Sequence, residues 1–104
     1  MIIVNTDYVT GHTVVRTLGL VQGSTVRAKH VGRDIAANFK SIFGGEIRGY
    51  TELLNESRQQ AVARMVETAR KMGANAVVNV RFSTNAVMQG ACELYCWGTA
   101  VVIE

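Results

Sequence analysis

The stretch ACELYCWGTAVVI, from Ala91 to Ile103, decides how the chain is to be read. It holds both cysteines, Cys92 and Cys96, four positions apart. In a helix two such thiols are neighbours and could share a metal or a disulfide. In a strand they stand about 13 Å apart, at roughly 3.3 Å per residue. A disulfide needs Cα atoms within about 7 Å, and zinc–sulfur bonds are only about 2.3 Å long. The segment alternates with a period of two. Cys92, Leu94, Cys96, Gly98, Ala100 and Val102 are all apolar or small, and Ala91, Glu93, Tyr95, Trp97, Thr99, Val101 and Ile103 point the other way. That period predicts a strand. Cys92 and Cys96 are therefore disfavoured as a metal or redox pair within one subunit, and free cysteine commonly packs as a small hydrophobe.

Working outward, Ala76–Ser83 shows the same period, with Ala76, Val78, Val80 and Phe82 on one expected face. NAVMQG supplies the turn region of a hairpin that joins this strand to the last. Before it, the stretch up to Met72 changes to helical period: Leu54, Ala61, Met65, Ala69 and Met72 form a stripe that Val62 and Val66 widen. Acidic Glu46, Glu52 and Glu56 stand towards the expected start, Arg70 and Lys71 at the end, and Gly73 is the expected left-handed cap. Asp34–Phe43 has Ile35, Phe39 and Ile42 at helical spacing and stops at the turn glycines Gly44 and Gly45, which predicts a short helix. Thr13–His30 is rich in β-branched residues and carries Gly19 and Gly23, as expected of one long strand bent at its glycines.

The expected fold is thus α+β: a bent N-terminal strand, a short helix, one long amphipathic helix and a C-terminal antiparallel hairpin, in a single domain over residues 1–104. One helix covers one sheet face. The other face, with Tyr95, Trp97, Val101 and Ile103, is too apolar to lie bare as a contiguous patch. Those four residues are the expected oligomer interface, and a homo-oligomer of closed symmetry is the expected state.

The 104 residues are 48% hydrophobic and 18% charged, a globular composition. No apolar run approaches the roughly 20 residues of a membrane helix. MIIVNTDY lacks the pattern of a signal peptide, so a cytoplasmic location is the default expectation, with reduced thiols. The net charge of +3 is scattered apart from Arg27, Lys29, His30 and Arg33, and nucleic-acid binding is disfavoured. His12 and His30 have no spacing that would complete a zinc site with the cysteines. Glu46, Glu52, Glu56 and Arg58 suit a salt-bridged helix surface better than a catalytic cluster. A thiol nucleophile needs a base and an electropositive setting, and neither cysteine has a basic neighbour in sequence. No catalytic residue is expected, and no cofactor other than a heavy metal held by ligands at subunit interfaces, the alternative reading.

GGE at Gly44–Glu46, Tyr50, LLNESRQQA with Arg58 and Ala61, Met65, GANAVV at Gly73–Val78 and GTAVVI at Gly98–Ile103 together resemble the YbjQ-like family across nearly the whole chain. The resemblance implies a dodecin-like subunit assembled as a ring, a homopentamer. It also implies a heavy-metal-binding label without an established activity, so no catalytic residue carries over. Asn79, Arg81 and Ser83 stand where many relatives carry acids, which makes acid-based metal binding on that strand a poor fit.

Overall fold

A computed structural model of the chain describes residues 1–28, 48–88 and 91–104. Among the described residues there are four strands and one helix: β1 (Ile2–Ile3), β2 (Val14–Ala28), α1 (Arg48–Lys71), β3 (Ala76–Met88) and β4 (Ala91–Ile103). The sheet order is β1-β3-β4-β2, with β1 parallel to β3 and the other pairs antiparallel. The fifteen residues of β2 reach about 50 Å when extended, which accounts for a longest dimension of 53 Å.

This corrects the expected plan. The described residues hold one helix and a four-stranded mixed sheet, in place of the expected pair of helices over a bent strand and a hairpin alone, and the dodecin-like description is set aside. The long helix, the irregular strand at Gly19 and the antiparallel pairing of the last two strands are present. The cause lies at the N-terminus, where Ile2 and Ile3 add a parallel strand beside Ala76 and Val77. Two residues are too few to show any periodicity. The short helix expected over Asp34–Phe43, and the turns at Gly44 and Gly45, fall outside the described residues.

Helix α1 lies over β2 and, to a lesser extent, β4. Ser57, Ala61, Met65 and Ala69, each four apart, are buried along its inner line. Two of the four are alanine, and opposite them β2 offers Gly23. A Cβ there would come within 2.6 Å of the Met65 backbone nitrogen, so the helix backbone rests directly on the strand. Val21, Val77, Val80, Cys96 and Ala100 complete the helix-side core. No acid occupies the first turn of α1, because the helix starts at Arg48 and Glu52 falls in the second turn. Arg70 and Lys71 do lie in the last turn. Gly73, at φ 92°, ends the helix: its N–H donates to Arg70 O, and that of Ala74 reaches back to Ala69 O, as in a Schellman cap.

The alternation in β3 slips at Asn79. This residue has φ 55°, and the pairing with β4 shifts between Val78 and Arg81. The bulge exchanges faces, so Val77 and Val80 both join the helix side while Ala76 and Val78 join the opposite side. The expected common face of Ala76, Val78, Val80 and Phe82 is corrected accordingly. Gly98 stands beside the bulge, where a Cβ would meet Val77 Cγ1 at 2.7 Å and Val78 O at 2.9 Å.

Candidate aromatic docking face

Behind the helix, the second sheet face divides into two ends. At one, Ala76, Val78, Val101 and Ile103 are buried together with Val4 and Val9 packed on them. The N-terminal chain acts there as a strap. Val4 N donates to Val77 O, Val80 N to Val4 O and Asn79 N to Thr6 O, so the strap threads the bulged part of β3. It closes where Thr13 and Glu104 exchange backbone bonds of 2.9 Å. Asn75 holds the neighbouring strand end by donating from Nδ2 to Ile103 O (2.8 Å) and accepting from Ile103 N (2.7 Å). Val101 and Ile103, 2% and 6% exposed, are thus covered within one chain.

Over the other end no described segment lies. Tyr95 and Trp97, two apart on β4, stack with ring centroids 5.1 Å apart and stay half-buried. The Tyr95 hydroxyl donates to Gln22 Oε1 at 2.5 Å, which anchors the ring to β2. The registers place Gln22 and Arg81 beside Trp97, Ser24 and Ser83 beside Tyr95, and Val26 and Asn85 beside Glu93. Leu20 and Val26 border this area at 67% and 59% exposure. Arg81 Nη1 donates to Asn5 O at 2.8 Å and Val80 O at 3.1 Å, so its guanidinium links the strap to the open end. Trp, Tyr and Arg at the centre of a surface are the residue types that carry most binding energy in protein contacts. The sequence singles out Tyr95 and Trp97, whereas Arg81, Gln22, Leu20 and Val26 need the register to join them.

The thiols do not converge. Cys92 and Cys96 are both free, and Cys96 is buried in the helix-side core while Cys92 is half-exposed. Burial pushes the Cys96 thiol up from its ordinary 9.0, against a smaller opposing effect of a backbone hydrogen bond with Gly23. His12 is exposed, and His30 lies outside the described residues. Among the described residues, no three His, Cys, Asp or Glu side chains gather where they could hold a metal ion. No described helix is long and apolar enough to cross a membrane.

A crystal structure of a protein of unknown function from Pediococcus pentosaceus, of the DUF74 family, superposes with a TM-score of 0.61 over 100% of this chain and 98% of its own. At 14% identity that likeness concerns the fold alone. A UPF0145 protein of Hahella chejuensis is 62% identical over 104 residues, covering both chains completely. A UPF0145 protein of Clostridioides difficile is 57% identical over all of this chain and 93% of its own length. One from Dehalococcoides mccartyi is 54% identical over the full length of both. The family model described as "Putative heavy-metal-binding" matches residues 1–104. The chain therefore belongs to the YbjQ-like family, whose curated members here carry the UPF0145 name.

Proposed function

We propose that the protein is a homo-oligomeric binding or structural module without catalytic activity, working in the cytoplasm, and that the Tyr95–Trp97 face is where copies meet. The observation that carries this reading is the open end of the second sheet face: a stacked aromatic pair beside Arg81, bordered by Leu20 and Val26. Apolar surface of this kind on a soluble chain marks an interaction site. Five copies round a ring is the number that the family resemblance implies. Native mass spectrometry of untreated protein tests the reading: a multiple of the chain mass is expected, and a monomer at micromolar concentration contradicts it.

The family description favours a second reading, a heavy-metal-binding or metal-sensing protein with ligands at subunit interfaces. Cys92, free and half-exposed, is the ligand that such a site would use. This reading requires donors from more than one chain, since Cys92 and Cys96 sit four apart on one strand. Metal in protein purified without added metal, lost in C92S, supports it. Metal-free oligomer, or metal retained in both C92S and C96S, removes the thiols from consideration.

A further inference from the structure

Helix α1 is set off-centre on the sheet. It lies over β2, the strand at one edge, and hardly over β3 towards the other. Its side chains reach round the edge: Arg64 Nη1 donates to Ser24 O at 2.6 Å, which places that carbonyl on the side of β2 away from β4. Phe82 is level with Cys96 on the helix side of β3, yet it stays 53% exposed, and Thr84 and Ala86 beyond it are exposed as well. Each copy thus has helix to spare beyond β2 and bare sheet at β3.

Both edges also hold unpaired backbone. Among the described residues β2 pairs with β4 alone, and β3 has no outer partner after Val80, whose N–H donates to Val4 O in the strap. Strand residues turn their backbone groups to alternate sides. Val26 therefore points outwards like Ser24, and Thr84 outwards like Val80. Natural sheet edges are blunted by proline or lysine, and neither residue occurs in Val14–Ala28 or Arg81–Met88. Strands β2 and β3 run in the same direction, each being antiparallel to β4. Rotation about an axis along the strands preserves that direction, so it lays the β3 edge of one copy parallel to the β2 edge of the next and continues the sheet.

We propose that the free edge of β3, Arg81–Met88, pairs in parallel with β2 of a second copy of this chain, beneath the overhang of that copy's helix. The proposal rests on the self-assembly reading and supplies its joint. The contact is head-to-tail, so it closes a ring and suits five copies. Ser24 O keeps a lone pair for the incoming strand beside Arg64. The bulk of α1 lies outside such a ring, and the Tyr95–Trp97 faces turn inwards. Three long strands from each of five copies, about 4.8 Å apart, set the backbone on a circle of about 12 Å radius, which brings the inward aromatic side chains of neighbouring copies together. The edges join the copies, and the aromatic faces meet around the axis.

Proline at an outward position removes one N–H and obstructs the incoming strand, while the folded chain tolerates it on an edge. T84P on β3 and V26P on β2 are each expected to associate at least about tenfold more weakly than the parent chain, with an unchanged circular dichroism spectrum. Residue-resolved amide exchange on the parent needs no proline variant and decides the matter if either fails to fold. The Thr84 and Val26 amides are expected to be protected in the assembled protein and to exchange freely in the dissociated chain. Assembly of folded T84P or V26P at parent strength overturns the proposal. So do Thr84 and Val26 amides that exchange freely in the parent assembly or stay protected in the dissociated chain. A parent multimer dissolved by W97A but not by either proline sinks the edge contact alone and leaves the aromatic reading standing. A monomeric parent overturns both.

Discussion

The two ends of the second sheet face share three strands and differ in what lies on them. At the strap end the chain covers its own apolar residues, and Val101 and Ile103 are buried within a single chain. At the aromatic end no described segment does so, and Tyr95 and Trp97 stay half-exposed on the same strand. The difference shows that alternation alone does not identify an interface. A face is available to a partner only where the rest of the chain leaves it uncovered, and here that boundary falls between Trp97 and Val101.

Substitutions separate the two ends, and the largest effect strikes the frame they share. In G23A the new methyl meets the backbone of α1 and the helix has to lift, at a cost of about 3 kcal/mol or more in denaturant unfolding. A cost under about 1 kcal/mol would mean that helix and strand are not in backbone contact. I103A should cost about 2–4 kcal/mol, because it opens a cavity beneath Val4 and Val9. W97A acts in the opposite sense: on the dissociated chain it should cost about 1–2 kcal/mol, since the ring is already partly in water, yet it should abolish association. Equal losses of stability and assembly in both variants would erase the distinction between the ends.

Smaller effects lie on the helix side. The Thr25 hydroxyl is buried and has no hydrogen-bond partner among the described residues, so T25V should leave stability unchanged or raise it by about 1 kcal/mol. A clear loss would reveal a partner for that oxygen. For the thiols, Cys92 should react with a soluble disulfide reagent in the native protein and Cys96 only after unfolding. Because the folded Cys96 pKa is raised, its burial leaves stability unaffected below the ordinary pKa of 9.0. Above it the unfolded chain loses the proton first, and stability falls until the pH passes the folded value. C96A should flatten that alkaline decline.

What could be read from the sequence follows from how local each signal is. The period in Ala91–Ile103 is carried by thirteen consecutive residues and places Leu94, Cys96 and Ala100 towards the core without further information. Gly73 announces its cap within six residues of chain. The strap was not legible: Ile2 and Ile3 pair with Ala76 and Val77, more than seventy positions away, and two residues carry no pattern. Nor was the slip at Asn79, since one residue in left-handed conformation reverses every later side chain without changing the composition of the strand. For the same reason Arg81 read as one polar residue in an alternation, not as the cation beside Trp97.

If copies of the chain meet at the aromatic end and not at the strap-covered end, removing the Trp97 ring has to change the assembly and leave the fold. Native mass spectrometry of the parent and W97A at the same micromolar concentration tests this most directly. A multimer for the parent and a folded monomer for W97A are expected. A monomeric parent, or a W97A multimer of unchanged size and strength, would contradict this placement of the contact.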